Sequence, residues 1–256
     1  MNTNAAVSSL ADRTYIPVRL VPSQTLVYNE RMSDYLQDYY EFTSLEFQCL
    51  ASRQNRVGLL GGTFNPIHYG HISMATIALY EFSLGEVIFL PLGMPPHKRG
   101  EFVASAQQRL DMVRLAIAGE SRFSLSTIET SRSGYTYTVD TLEMLSRARK
   151  STDFYYIIGA DTLLELTTWR NYERVFLLTD FICIMRPGLD EEKVRQFADS
   201  LSHRFGHKIH FASERGPNIS STQIRMIAAQ GGSLSELVPD PVARYIDEHG
   251  IYRAEE

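Results

Sequence analysis

Two histidines three residues apart, His68 and His71, follow a pair of glycines in the stretch VGLLGGTFNPIHYGH at residues 57–71. At that spacing two side chains share one face of a helix and can converge on one group. Gly61 and Gly62 are places where a backbone turns tightly or admits a ligand to contact distance. A helix that starts here offers N–H groups without intrahelical partners and a partial positive charge, which together suit a phosphate. Other readings account for the same residues: a plain turn, histidines serving as cap or core, or a zinc site. Zinc needs more ligands at suitable geometry, and Cys49 and Cys183 are distant and unpatterned.

The elements that must position this group are legible around it. Val57, Leu59 and Leu60 form an apolar run that reads as a buried strand ending at the glycines. Beyond Pro66, the apolar positions Ile72, Ala75, Ile77, Ala78, Leu79 and Phe82 predict a helix packed on one face. From Val57 onward short β-rich runs (EVIFLPL, RFSLSTIE, DFYYIIGA, DFICIMRPG, KIHFA) alternate with helical patterns such as QQRLDMVRLAIAG and TLEMLSRARK. Such alternation predicts an α/β fold, a Rossmann-like parallel sheet with helices on both faces and ligands at the strand carboxyl ends.

Four further stretches carry polar or aromatic groups just past predicted strands. His97, Lys98 and Arg99 lie on the loop PLGMPPHKRG, either a solvated basic loop or cations placed for a phosphate. IIGAD closes a strand with Gly159 and then Asp161, a carboxylate able to accept from ribose hydroxyls or to cap the next helix. Trp169, the only tryptophan, stands among Thr167, Thr168, Arg170 and Asn171, which favours a partly exposed stacking surface over a place in the core. Ser220, Ser221 and Thr222 crowd a predicted helix start with Arg225 one turn on. N-capping explains one hydroxyl; three with an arginine suit a second phosphate site.

The whole chain bounds these readings. At 256 residues and 44% hydrophobic composition it can bury a substantial core. It lacks any run of about 18 uninterrupted apolar residues, and its first residues do not follow the plan of a signal peptide, so the expectation is a cytoplasmic protein with no membrane partner. Two cysteines make no disulfide framework, in keeping with a reducing compartment. A net charge of -5 argues against a general nucleic-acid surface while leaving local focusing of small anions open. Residues 1–55 show no strand–helix rhythm beyond a short helix expected from about Ser33 to Ala51, and they read as an N-terminal appendage to a domain over 56–256.

Taken in order, GGTFNPIHYGH, PPHKRG, ETSRSGYTYTVDTL, IIGAD with TTW, RPG, ISSTQIR and the ending VPDPVARYIDEHGIYR resemble the bacterial nicotinate mononucleotide adenylyltransferases of the nucleotidyltransferase superfamily. The resemblance covers about residues 56–253. The first motif is shared with pantetheine-phosphate adenylyltransferases; the middle stretch and the Trp169 region narrow the choice. Asn65 stands where Asp is frequent in that family, a change that a position facing solvent or the turn would tolerate. The first 55 residues match nothing in the pattern.

The resemblance implies transfer of AMP from ATP to nicotinate mononucleotide, giving deamido-NAD and pyrophosphate. It implies that Gly62, Thr63, Phe64, His68 and His71 hold ATP, Gly159 and Asp161 its ribose, and Ser221, Thr222 and Arg225 its distal phosphates. His97 and Lys98 would meet the acceptor phosphate, Thr138 and Trp169 its pyridine ring. The nucleophile is already an anion, so alignment and charge stabilisation carry the catalysis, with His68, His71, Lys98 and Arg225 as its agents. Magnesium is expected to arrive with ATP and to take few or no protein ligands. Rival expectations are an adenylyltransferase for another phosphorylated acceptor, such as phosphopantetheine or the nicotinamide mononucleotide, and a nucleotide sensor without turnover. The sequence leaves open whether the chain forms a homo-oligomer.

Overall fold

The computed structural model describes residues 55–93, 103–206 and 208–253. Residues 1–54, with the short helix expected there, and residues 94–102, with His97, Lys98 and Arg99, lie outside the described residues. Six strands form one sheet in the order β3-β2-β1-β4-β5-β6. They are β1 (Arg56–Gly62), β2 (Glu86–Pro91), β3 (Phe123–Leu125), β4 (Asp153–Gly159), β5 (Asp180–Ile184) and β6 (Ile209–Phe211). All neighbouring pairs run parallel. Between and after them run α1 (Tyr69–Glu81), α2 (Ala106–Ile117), α3 (Thr138–Ala148), α4 (Ala160–Glu165), α5 (Tyr172–Phe176), α6 (Glu191–Phe205), α7 (Ser221–Ala229) and α8 (Asp240–Glu248).

The strands are apolar on both sides because both faces of the sheet are covered. Leu60, Val87, Phe89, Ile182 and Ile184 enter one core with side chains of α1, α2, α7 and α8. Val57, Leu59, Ile88, Leu90, Phe181 and Cys183 enter the other, with side chains of α3, α4, α5 and α6. Successive residues of a strand therefore feed opposite cores, so a slip of one residue would exchange the two sets. Each fully buried Leu, Ile or Phe side chain contributes roughly 1.5–3 kcal/mol, which makes the register a strongly specified property. Among the described residues no helix is long and apolar enough to cross a membrane.

The strand order reverses between β1 and β4, the two central strands. Connections from them leave toward opposite faces, and the backbone opens a crevice at their carboxyl ends. Gly61 and Gly62 close β1 there, Gly159 closes β4, and Arg186 follows β5 by two residues. The alternation expected from the sequence is thus the alternation observed, including the short strands β3 and β6.

Candidate active site

The turn after β1 delivers both histidines to the crevice. Phe64 takes a left-handed φ of 49°, unusual for a residue with a side chain, and its ring packs into the core at 1% exposure. There it meets Phe89 and supports the edge of the His71 ring, with centroids 5.0 Å apart. The Phe64 side chain is therefore a platform beneath a histidine, and only its backbone remains for a nucleotide. A Cβ on Gly62 would approach the Phe64 ring at 3.2 Å, so the glycine accommodates this inward turn.

His68 is the N-cap of α1 and His71 lies three residues on. Their rings face each other at a centroid distance of 3.8 Å. The backbone N–H of His68 donates to Nδ1 of His71 at 3.3 Å, which leaves the His71 proton on Nε2 as a donor to a ligand. Nδ1 of His68 is buried and has no hydrogen-bond partner. Burial, with the nearby Arg186 charge, pulls the His68 pKa down to about 3. Burial, His68 and Arg186 together hold His71 well below the ordinary histidine range. Both rings are neutral at pH 7 and act as polar hydrogen-bonding groups, not as cations.

The opening turn of α1 is less free than its position suggests. The Tyr69 N–H donates to the Leu237 carbonyl at 3.0 Å, and the His71 N–H to the His68 carbonyl at 2.9 Å. An anion here would be met chiefly by imidazole. A cation does stand beside the pair: Arg186, from the RPG stretch after β5, lies 3.9 Å from Asp161 and has a buried Nε without a partner.

The other helix start docks against the same turn. Ser220 caps α7 by accepting from the Gln223 N–H at 3.2 Å. The Ser221 hydroxyl donates to the Pro66 carbonyl at 3.0 Å, and Arg225 donates to the Asn65 carbonyl at 3.0 Å and to the Thr222 hydroxyl at 3.4 Å. So α7 brings Ser221, Thr222 and Arg225 to the His68 loop, with Ser221 partly engaged in holding it. On the β4 side, Asp161 sits in the first turn of α4 and makes no cap bond, since the N-cap is Gly159. A Cβ at Gly159 would lie 2.4 Å from Asp161 Oδ1, so glycine lets the carboxylate fold back over the strand end.

Thr138 and Trp169 are gathered by a residue the sequence reading passed over. The hydroxyl of Tyr156, inside β4, lies near the Thr138 side chain, and its ring meets Trp169 edge-on at 5.7 Å. Trp169 is half-buried, with the Arg170 guanidinium beside it stacked 4.5 Å over Tyr137. Glu129, 1% exposed, accepts from the Thr141 hydroxyl at 2.8 Å and so ties the 126–137 stretch to α3. Burial raises its pKa. Among the described residues no group of three or more His, Cys, Asp or Glu could hold a metal ion.

A family model described as cytidylyltransferase-like matches residues 59–227. A protein of Desulfitobacterium hafniense (strain DSM 10664 / DCB-2), named probable nicotinate-nucleotide adenylyltransferase, is 41% identical over 203 residues, covering 77% of this chain and 96% of its own length. The chain belongs to the nicotinate-nucleotide adenylyltransferase family. A second member, from Symbiobacterium thermophilum, is 42% identical over 197 residues, with 77% of this chain and 95% of the relative covered. The fold agrees with a Plasmodium falciparum nicotinic acid mononucleotide adenylyltransferase complexed with APC, at a TM-score of 0.64 and 19% identity over 78% of this chain and 98% of that one.

Within this nicotinate-nucleotide adenylyltransferase fold, one expectation needs correction. Asn65 faces neither solvent nor an open turn: it is 1% exposed, and its Oδ1 accepts from the Ala104 N–H at 3.0 Å and from the Tyr252 hydroxyl at 2.8 Å. An amide oxygen suffices for both bonds, which is why Asn serves there. Arg186, Tyr156 and Glu129 were not singled out from the sequence. Arg186 carried a usable signal, a cation just past a strand end; the others are unremarkable until the fold buries them.

Proposed function

We propose that this chain transfers AMP from ATP to the phosphate of nicotinate mononucleotide, giving deamido-NAD and pyrophosphate. The observation that carries the reading is the convergence of His68, His71, Arg186, Asp161 and Arg225 at the reversal of strand order, in a chain about 40% identical to its family over nearly their whole length. An oxygen of the acceptor phosphate attacks the α-phosphorus of ATP, a new P–O bond forms, and the bond to the leaving pyrophosphate breaks. The nucleophile carries no proton that must be removed, so no general base takes part. His71 offers Nε2–H to the α-phosphate oxygens as charge redistributes, and His68 packs against it. Arg186 and Arg225 supply positive charge on the two sides of the turn, Arg225 with Thr222 and the first-turn N–H groups of α7 toward the distal phosphates. Gly62 and Thr63 let the nucleotide approach the strand end, and Gly159 and Asp161 suit its ribose. His97 and Lys98 are assigned to the acceptor phosphate on resemblance alone.

Trp169 offers a ring for stacking and the start of α3 at Thr138 offers N–H donors, which match a carboxylate better than an amide. A carboxylate accepts twice with charge assistance, whereas an amide turns an NH₂ against one donor. Magnesium enters as part of the ATP substrate and neutralises phosphate charge. The donors lining the crevice are imidazole, hydroxyl and guanidinium groups, which fit phosphate oxygens and leave the ion to them. The chemistry resides in residues 56–256, and the reaction takes place in the cytoplasm.

The test is pyrophosphate release by the full chain from Mg–ATP with nicotinate mononucleotide, its amide, or phosphopantetheine. A preference for the acid of at least roughly tenfold in kcat/KM is expected. Equal use of acid and amide would remove the acceptor assignment, and no turnover with any of them would remove the activity. Deleting residues 1–50 should leave the constants within a few-fold, and a folded but inactive truncation would move the domain boundary.

A further inference from the structure

Glu129 is a buried carboxyl that the mechanism above does not use. The stretch that carries it is anchored on β2 by the Ser126 N–H, which donates to the Phe89 carbonyl at 3.0 Å. Gly93 packs so closely against the Glu129 backbone that a Cβ there would come within 2.5 Å of the carbonyl oxygen. From this fixed backbone the side chain reaches α3, where its Oε1 accepts from the Thr141 hydroxyl at 2.8 Å. Three residues on, Arg132 donates to Asp140, the neighbour of Thr141, at 3.4 Å. The first tie is buried and the second is partly open to solvent.

Both ties fall on the opening of α3, whose first residue is Thr138. The Asp140 and Thr141 N–H groups turn on the Tyr137 carbonyl, at 3.1 and 3.3 Å, and the Tyr137 side chain makes no cap bond. The donors left at this helix start are those of Thr138 and Val139. The Tyr156 hydroxyl lies near both Glu129 and Thr138, so the carboxyl and the donor-bearing turn belong to one polar cluster. A carboxyl is costly to bury, and an apolar side chain of the same length would fill the space at lower cost. What the bond to Thr141 adds is direction: a hydrogen bond is tight in distance and angle, whereas apolar burial is not directional.

We infer that Glu129 is a positioning residue for acceptor specificity: through Thr141 it fixes the first turn of α3, and with it the direction in which the Thr138 N–H meets the ring substituent of the acceptor. The inference rests on the proposed transfer to nicotinate mononucleotide. It assigns Glu129 no contact with substrate. Two donors recognise a carboxylate only while both point at it, so a tilt of this turn weakens the acid more than the amide and leaves ATP untouched.

The substitution Glu129→Met keeps the length and removes the acceptor. In the full-length chain it is expected to raise KM for nicotinate mononucleotide about tenfold and to cut the acid-over-amide preference in kcat/KM by a similar factor, with KM for ATP within about twofold of the parent. Glu129→Gln offers Thr141 a carbonyl oxygen and should bring the acceptor KM and the preference back to within about threefold of the parent. A purely structural carboxyl would lower the melting temperature of the Met variant while the acid preference persisted, and that result would overturn the inference; so would a rise in KM shared equally by ATP. Should Glu129→Met not fold, Thr141→Val and Thr141→Ser make the same comparison from the other end of the bond, since Val lacks the hydroxyl and Ser keeps it. Equal kinetics in those two would overturn the inference. A parent enzyme without acid preference would remove the proposed acceptor and this inference with it, whereas a preference that survives both Glu129→Met and Thr141→Val removes this inference alone.

Discussion

Asn65 and Tyr252 stand 187 residues apart in the chain and are joined by a buried 2.8 Å hydrogen bond, the Tyr252 hydroxyl donating to the Asn65 side-chain oxygen. That same oxygen accepts from the Ala104 N–H. One amide thereby fastens the C-terminal residues and the start of α2 to the turn that carries the histidines. Asn65→Ala would remove both bonds at about 1–3 kcal/mol each, and Tyr252→Phe removes one bond at about 1 kcal/mol. Urea unfolding should show the alanine variant losing clearly more stability than the phenylalanine one. In the double variant the two losses should not add, because both remove the shared bond.

Turnover should depend on His71 more than ATP affinity does. Its Nδ1 is occupied by the His68 N–H, so Nε2–H is left to donate, and in the proposed reaction it would meet charge that shifts during transfer. His71→Ala is expected to raise the barrier on the order of 3 kcal/mol while ATP binding changes little. His68→Ala should be impaired with less selectivity between binding and turnover. Pre-steady-state kinetics together with calorimetric ATP titration separate these effects, and a collapse of affinity at unchanged saturated rate would reverse the role given to His71.

Acid should unfold the protein partly through the histidine pair. In the folded state His68 titrates near 3, against 6.5 for the exposed side chain, and His71 is displaced in the same direction. Below pH 6.5 the unfolded chain binds protons that the folded chain refuses, so stability falls as pH drops from 6.5 toward 3 and is unaffected above about 7. For His68 the loss reaches about 2 kcal/mol by pH 5. The destabilisation of His68→Asn relative to the parent, measured by denaturant midpoints, should therefore shrink between pH 7.5 and pH 5. A gap independent of pH would show that His68 is readily protonated when folded.

Gly61 cannot carry a side chain while Tyr156 keeps its hydroxyl. A Cβ there would sit 2.0 Å from Tyr156 Oη and 3.0 Å from its Cζ. Gly61→Ala should cost roughly 1–3 kcal/mol and raise KM for the acceptor, because Tyr156 must withdraw from Thr138 and Trp169. Adding Tyr156→Phe removes the closer clash and should restore part of the stability. Thermal denaturation of the two single variants and the double variant tests this, and equal instability of the single and double alanine variants would count against it.

The sequence by itself determined the parallel α/β plan, the end of β1 at Gly62 and the placing of His68 and His71 at the start of α1. These follow from signals a few residues long: apolar periodicity, glycine at a strand end, and spacing on one helix turn. It also pointed to Gly159, Asp161, Trp169 and the Ser221–Arg225 group, since ligands gather at strand carboxyl ends in such sheets, while Thr138 entered only through the family resemblance. Only the tertiary structure decided what each group is able to do. The neutrality of the histidines arises from burial beside Arg186, whose motif is more than a hundred residues away in the chain. The Phe64 ring became a platform beneath His71 because its left-handed backbone turns the side chain into the core. Asn65 and Tyr156 gained their roles from a backbone amide, a hydroxyl and a ring supplied by other segments. Local pattern specifies elements, whereas hydrogen-bond partners and desolvation belong to the packed fold, where distant residues share one low-dielectric space.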